Sequence, residues 1–393
     1  MGISLNGNNR KIAKRFVREL RERVPEVVIV VGGYDCVYSQ VGPHRFNNFD
    51  YMVIREAELT LIPLIKKILN GKKPEGLPGI ISKRSVPQKS ILKSLLPKDL
   101  DAIDFPKYEW CGTSLYQTYD CLHLIPITGS RGCNWGKCRF CAECFPYRKR
   151  SPHKVVDEIE FMYRKGFVNF YFNESDVNGD QVHLYDICSE IIKRNLSIQI
   201  VGQARIDRKN TKEFFSHLAK AGFKHLRFGV DGWTNNTLKL MRKGYNFKVV
   251  FQNLKDCHST GIFTAVNVVL GVPEETEADV NESISNLLKC KEYIDAVEGI
   301  NILLLLAGSE YYNFPEKYKI KFLKDKKSVF SENPYNVPPD LWFSEDPYID
   351  DHIRQERFNK VCKALYSNGI NIGHYAERII KEMSEKGNIE EFI

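Results

Sequence analysis

Regular alternation of strand-like and helix-like segments between residues 121 and 325 is the feature that most constrains this fold. Short runs rich in β-branched and aromatic residues are separated by segments with helical periodicity. The predicted strands are Leu122–Ile127, Val168–Phe172, Ile198–Gln203, His225–Val230, Thr264–Leu270 and Gly299–Leu305. The predicted helices are His153–Arg164, His183–Arg194, Thr211–Ala221, Thr237–Arg242, Val249–Thr260 and Glu277–Lys289. Consecutive strand–helix units predict a parallel sheet curled into a partial (β/α)6 barrel, with ligand sites at the carboxyl ends of the strands.

We place this barrel at residues 106–325, and a second α/β region precedes it. Residues 1–105 contain a predicted helix at Asn9–Arg23, a strand with a glycine turn at Val27–Gly33 and another helix at Glu56–Leu69. A doubly wound sheet needs more strands than this region supplies. We therefore interpret it as a truncated doubly wound α/β domain followed by a linker.

Residues 326–393 form a charged segment after the barrel. Its periodicity predicts helices at about 350–368 and 373–386. We therefore expect a small, mainly helical extension at the end of an otherwise α/β chain.

Composition excludes several classes of protein. No apolar run approaches the roughly 18 residues of a membrane span, and the first residues lack the apolar core of a signal peptide. The net charge of +8 is modest and spread along the chain, so a nucleic-acid partner is not expected. The eleven cysteines do not indicate a disulfide framework in a chain without an export signal, so we expect a cytoplasmic protein.

Four of the cysteines, Cys133, Cys138, Cys141 and Cys144, fall within twelve residues directly after the first barrel strand. The other seven are isolated, and we expect them to pack as small apolar side chains. Three thiolates on one loop can hold three irons of a 4Fe-4S cluster. All four could instead complete a closed cluster or a zinc site, although zinc sites usually combine two Cys-x2-4-Cys motifs separated by a longer segment.

The stretch TGSRGCNWGKCRFC resembles the signature of radical S-adenosylmethionine (SAM) enzymes, whose barrels carry three cysteines after the first strand. The first gap here is four residues rather than the more common three. The resemblance implies that Cys133, Cys138 and Cys141 each bind one iron. The fourth iron would then bind the amino and carboxylate groups of SAM, and Cys144 would be a bystander or a ligand in trans.

Later strand ends resemble the SAM-binding motifs of the same family. The resemblance implies that Phe140 packs on the adenine and that Glu174, in Asn-Glu-Ser-Asp, faces the SAM amino group. It also implies that Arg205 pairs with a carboxylate of SAM or substrate. The alternatives are a core aromatic, a helix cap supplied by Ser175 or Asp176, and a surface arginine.

Two further positions complete this resemblance. The segment LRFGVDGW places Asp231 where the family commonly has a glutamate near the ribose. The segment LGVPEETEADV is similar to a loop that approaches the adenine, where Gly271 would permit close contact. Its Thr276 could equally serve as a helix cap alone.

Residues 3–104 resemble the last part of the cobalamin-binding domain that precedes one radical SAM subgroup, through VVIVVGGYD and FDYMVIREAELTLIPLI. The resemblance implies cobalamin as a further cofactor. However, the subgroup's Asp-x-His-x-x-Gly loop is absent, and none of the nine histidines fits it. This argues against cobalamin binding by this chain alone.

These observations predict a radical SAM enzyme that cleaves SAM reductively to a 5′-deoxyadenosyl radical for hydrogen abstraction, with methyl transfer as the outcome if cobalamin binds. The expected partners are a small-molecule or peptide substrate and an electron donor such as flavodoxin or ferredoxin. The alternative is a non-catalytic iron–sulfur or zinc protein that uses all four clustered cysteines. The fate of the cluster without Cys144 distinguishes the two.

Overall fold

The computed structural model describes residues 1–6, 9–36, 49–74, 76–83, 96–110, 124–143, 145–325, 336–374 and 378. The chain forms two compact units. The N-terminal unit contains Met1–Ile103 and two later segments, Leu304–Gly308 and Phe322–Leu341. The barrel unit contains Asp104–Leu303, Ser309–Lys321 and Trp342–Ile393.

In the N-terminal unit, the described residues form a sheet with one helix on each face. The elements are β1 (Gly2–Ser4), α1 (Arg10–Arg23), β2 (Val30–Gly32), β3 (Tyr51–Val53), α2 (Leu61–Leu69) and β4 (Ile80–Ser82). The strand order is β1-β2-β3-β4, with β4 antiparallel to its neighbour and the other pairs parallel.

Alternation along β2 explains the two layers of this unit. Ile29 and Val31 pack in one buried cluster with Val17 of α1, whereas Val30 packs in another with Leu64 of α2. Successive strand residues point to opposite faces, so a continuous apolar run is covered on both sides. Helix α2 begins at Leu61 rather than at the predicted Glu56, because residues 58–60 form a turn in which Thr60 N donates to Ala57 O.

The barrel unit confirms the predicted α/β fold. Among the described residues, six parallel strands lie in the order β12-β11-β10-β9-β8-β5. The strands are β5 (Ile125–Ile127), β8 (Asn169–Phe172), β9 (Gln199–Ala204), β10 (Phe223–Asp231), β11 (Phe263–Leu270) and β12 (Ala296–Ile302). A short ribbon, β6 (Ser130–Arg131) with β7 (Arg148–Lys149), is inserted after β5.

Helices follow the barrel strands and start at residues that suit helix termini. They are α3 (Pro152–Tyr163), α4 (Gln181–Lys193), α5 (Lys212–Ala221), α6 (Asn235–Leu240), α7 (Phe247–His258) and α8 (Glu277–Lys289). The side chains of Asp180, Thr211, Thr234, Asn246 and Thr276 each accept a hydrogen bond from the first turn of the next helix. Such caps satisfy backbone N–H groups that have no intrahelical partner.

The remaining elements follow the last barrel strand, which ends earlier than predicted. They are β13 (Leu305–Leu306), α9 (Glu310–Asn313), β14 (Ile320–Phe322), β15 (Asn336–Val337), β16 (Trp342–Glu345), β17 (Tyr348–Ile349) and α10 (Asp351–Ser367). The predicted strand Gly299–Leu305 is cut short because Leu305 pairs with Val337 instead. The second predicted C-terminal helix, 373–386, falls almost wholly outside the described residues. No helix in the described ranges is long and apolar enough to span a membrane.

Candidate SAM and cluster site

Cys133, Cys138 and Cys141 lie on one loop at the carboxyl end of β5, closed at its base by the β6–β7 ribbon. Cys133 and Cys138 are partly exposed and Cys141 is exposed. The other free cysteines that the structure describes are buried: Cys36, Cys188, Cys257, Cys290 and Cys362. Cys111, Cys121 and Cys144 lie outside the described residues. Accessibility therefore separates the loop thiols from the described packing cysteines.

The three loop thiols are close enough to influence one another electrostatically. Burial raises the pKa of Cys133, and negative charge at Asp176 and Cys138 raises it further, while hydrogen bonding from Gly136 N lowers it. Thiolates crowded in this way are stabilised when they bind a cation, because metal binding displaces their protons. This donor set fits a metal cluster.

The turn formed by residues 240–243 presents four consecutive backbone carbonyls to the cysteine loop and its surroundings. Arg139 donates from Nη1 to Leu240 O (3.0 Å) and from its backbone N to Met241 O (3.1 Å). Trp135 Nε1 donates to Arg242 O (2.9 Å), and Arg205 Nη2 donates to Lys243 O. We call this set of contacts the carbonyl ladder. It fixes the cysteine loop against the segment that follows α6.

Gly244, directly after the ladder, is required by the close approach of Trp135. Its φ is +80°, and a Cβ there would lie 2.2 Å from Cη2 of the indole ring. Any other residue would both strain the backbone and displace the tryptophan.

Lys243 and Asp231 form a buried ion pair beneath the cysteine loop. Lys243 is 4% exposed, and its Nζ lies 2.6 Å from Asp231 Oδ2, 2.7 Å from Gly229 O and 5.8 Å from the centre of the Phe140 ring. Burial tends to lower the pKa of Lys243, but the charge of Asp231 outweighs it and the pKa is raised. Sequence reasoning missed Lys243, because nothing in MRKGYN distinguishes it from a surface lysine.

The strand end that carries Asp231 is irregular. The pairing of β10 with β11 shifts register between Phe228 and Asp231, and Asp231 has a left-handed φ of 63°. Asn267 Nδ2 donates to its Oδ1 (2.7 Å). Such irregularities re-aim side chains at strand ends, and here the carboxylate points to Lys243.

The carboxylate of Glu174 is hydrogen-bonded to the segment that follows β5. It is buried, and it accepts hydrogen bonds from Gly129 N (2.6 Å) and Ser130 Oγ. Burial raises its pKa to about 7. Both of its oxygens therefore hold the connection from β5 to the β6–β7 ribbon.

Asp176, two residues further on, is the contrasting carboxylate. It is 2% exposed, and its Oδ1 has no hydrogen-bond partner among the described residues. Burial raises its pKa to about 6, although Arg205 and Lys243 lower it. A buried carboxylate oxygen without a partner is costly, so this atom is suited to receiving a ligand donor.

The predicted positions Arg205, Phe140 and Gly271 lie at the same end of the barrel. The Arg205 guanidinium is 4.3 Å from the Trp135 ring centre and 5.1 Å from that of Tyr245, so both rings pack against it. Phe140 is partly buried on the cysteine loop. Gly271 directly follows β11 with a φ of +76°.

The structure defines a partial βα barrel with a cysteine loop at its carboxyl edge, and comparison with known proteins identifies the family. Residues 127–287 match the model of the Radical SAM superfamily, and this part of the chain is a radical SAM domain. A radical SAM domain implies a 4Fe-4S cluster and SAM as cofactors.

The chain spans between 46% and 58% of the length of several curated relatives that it matches. The anaerobic magnesium-protoporphyrin IX monomethyl ester cyclase of Synechocystis sp. is 26% identical over 306 residues, which span 73% of this chain and 58% of the relative. The tryptophan 2-C-methyltransferase of Streptomyces laurentii is 25% identical over 334 residues, spanning 67% of this chain and 54% of the relative.

Solved structures share the fold. TsrM from Kitasatospora setae, described as a radical SAM methyltransferase with cobalamin and a [4Fe-4S] cluster bound, gives a TM-score of 0.65 at 18% identity over 83% of this chain and 69% of that chain. OxsB, described as a cobalamin-dependent SAM radical enzyme, gives 0.74 at 16% identity over 93% of this chain and 58% of that chain.

Proposed function

We propose that this protein is a radical SAM enzyme whose 4Fe-4S cluster is bound by Cys133, Cys138 and Cys141. The observation that carries the proposal is the accessible thiol loop at the carboxyl edge of a parallel sheet, pinned by the carbonyl ladder. When bound, such a cluster supplies the electron that cleaves SAM into methionine and a 5′-deoxyadenosyl radical, which removes hydrogen from a substrate.

The residues around the thiols support this role. Arg205 and Lys243 bring positive charge to the loop, which offsets the negative charge of thiolates bound to iron. Phe140 is the candidate surface for the adenine, and Arg205 is the candidate partner of a carboxylate.

We assign the SAM amino group to Asp176 in preference to Glu174. Asp176 Oδ1 has no partner in the described structure, whereas Glu174 is engaged with Gly129 and Ser130. Asp231 remains the candidate for the ribose that the family resemblance implies, and its two oxygens are held by Lys243 and Asn267.

If cobalamin binds, methyl transfer to a small-molecule or peptide substrate is the reaction that we propose after radical formation, supported by the tryptophan methyltransferase relative. The electron donor would be a flavodoxin or ferredoxin in the cytoplasm. The described part of the N-terminal unit contains no histidine, and the one in its sequence, His44, lies outside the described residues. The described part of the N-terminal unit thus offers no imidazole for cobalt, and we derive no step through cobalamin.

Anaerobic reconstitution with iron and sulfide tests the proposed function. The reconstituted, dithionite-reduced protein should convert SAM to 5′-deoxyadenosine, measured by mass spectrometry with and without added cobalamin. A protein that takes up no iron, or that takes up iron and leaves SAM intact, would contradict the proposal.

Two matched cysteine variants separate this function from a non-catalytic metal protein. Cys138→Ala should abolish 4Fe-4S absorbance, because each of the three thiolates holds its own iron. Cys144→Ala should retain both the cluster and the change that SAM produces in its spectrum. Loss of the cluster in Cys144→Ala, without any effect of SAM on the wild-type iron spectrum, would favour the closed four-cysteine site.

A further inference from the structure

The loop after β11 folds back on itself through a buried glutamate. Glu275 is 1% exposed, and its Oε2 accepts a hydrogen bond from Gly271 N at 2.6 Å. The loop lies at the carboxyl edge of the sheet, where parallel barrels bind ligands. On the same edge, Asn267 of β11 contacts Asp231.

Helix α10, which lies about 80 residues later in the sequence, contacts this loop through Arg357. Arg357 Nη1 donates to Glu275 Oε2 (3.0 Å) and to Glu275 O (3.2 Å), and both side chains are buried. The loop is therefore held by a charged pair as well as by its own backbone.

A second arginine of α10 lies directly against Gly271. A Cβ on Gly271 would lie 2.3 Å from Arg354 Cγ and 2.7 Å from its Cδ. The Arg354 guanidinium stacks 3.8 Å from the Trp342 ring centre and donates to Trp342 O (2.8 Å) and Ile349 O (3.2 Å). The aliphatic part of Arg354 therefore packs directly against Gly271.

Stability alone does not account for these contacts. A buried ion pair such as Arg357–Glu275 gains little net stability over apolar side chains of the same volume, since both charges lose their hydration. Its directional hydrogen bonds do define a single loop geometry. Arginine suits this task because its planar group donates in fixed directions.

We propose that Arg354 and Arg357 are positioning residues for the adenosyl part of SAM, acting through the loop from Gly271 to Glu275. This inference rests on the proposed function, because it takes SAM as the ligand at this edge. It makes the segment after the barrel a part of the SAM site, although neither arginine need touch the ligand.

The test compares ligand affinities of reconstituted variants. Arg357→Gln should weaken binding of S-adenosylhomocysteine, measured by equilibrium dialysis, by about tenfold, the scale on which residues that orient ligand-holding groups act. Binding of methionine alone and the iron content should not change, because the cysteine loop is untouched. The matched control is Lys360→Gln, on the same helix, which breaks a largely exposed pair with Glu277 and should stay within twofold of wild type.

The outcomes are distinguishable. Wild-type protein that holds its cluster but does not bind S-adenosylhomocysteine would overturn the proposed function. Wild-type binding with equal affinity in Arg357→Gln would overturn the positioning role alone, and so would equal losses for S-adenosylhomocysteine and methionine. If Arg357→Gln does not fold, Glu275→Asp replaces it: it keeps the charge, shortens the reach to Gly271 N, and should show the same selective loss.

Discussion

Replacing Lys243 by Met is the sharpest test of how the barrel supports its cysteine loop. The variant keeps the volume of the side chain but removes an ammonium that lies 2.6 Å from Asp231 Oδ2. Breaking a buried pair by removing one partner costs about 3–5 kcal/mol. Asn267 still donates to the other oxygen of Asp231, so we expect a loss near the lower end, about 3 kcal/mol.

Urea unfolding followed by tryptophan fluorescence measures this loss of stability in the barrel unit, which contains Lys243 and Asp231. All four tryptophans, at positions 110, 135, 233 and 342, belong to the barrel unit. The control is Lys319→Met, which breaks an exposed pair with Asp346 and should cost at most about 1 kcal/mol.

A second substitution and the pH dependence make the reasoning refutable. Asp231→Asn added to Lys243→Met should recover part of the loss, because no uncompensated charge then remains buried.

The pKa of Lys243 is raised in the folded state. The contribution of Lys243 to the free energy of unfolding is therefore complete below the unfolded pKa of about 10.4 and is lost only at higher pH. The difference between wild type and Lys243→Met should therefore be constant from about pH 7 to pH 9. A Lys243→Met variant no less stable than Lys319→Met, or a double variant with fully additive losses, would refute this account.

The remaining predictions concern the loop and its base. Gly244→Ala should reduce iron uptake on reconstitution, because its methyl group would displace Trp135. Gly261→Ala should change iron uptake little, because Gly261 has the same φ of +80° but open space around it. Equal iron content in the two variants would contradict the role of Trp135. Burial raises the pKa of Glu174 from 4.5 to about 7, so the folded state holds its proton longer than the unfolded state, and this group makes stability fall as pH rises from about 5 to 7. Glu174→Gln should flatten that fall by about 2 kcal/mol between pH 5 and pH 7, because the full difference, at 1.36 kcal/mol per pKa unit, develops only over a wider pH range. Urea midpoints at the two pH values would measure this change, and an unchanged slope would exclude Glu174 as its source.

Local sequence patterns predicted the six barrel strands and the helices between them. The βα alternation and the caps such as Thr276 are set by residues a few positions apart, so they are visible in one sequence. The end of β12 could not be predicted, because Leu305 pairs with Val337 rather than with the barrel. The end of β12 therefore depends on a segment that is distant in the sequence.

Side-chain partners in the site were beyond prediction for the same reason. Glu174 and Asp176 are two residues apart and chemically alike, yet the first holds Gly129 and Ser130 and the second keeps an oxygen without a partner in the described structure. Burial and geometry, not residue type, decide such roles. The pairing of Lys243 with Asp231 likewise appears only when the chain is folded.

The carbonyl ladder has a consequence for how such proteins diverge. Its acceptors are main-chain oxygens of residues 240–243, which every amino acid carries. A substitution at Leu240, Met241 or Arg242 would therefore leave these acceptors in place, whereas one inserted or deleted residue would move every oxygen away from its donor. For these hydrogen bonds, the number of residues in the turn matters more than the identity of their side chains.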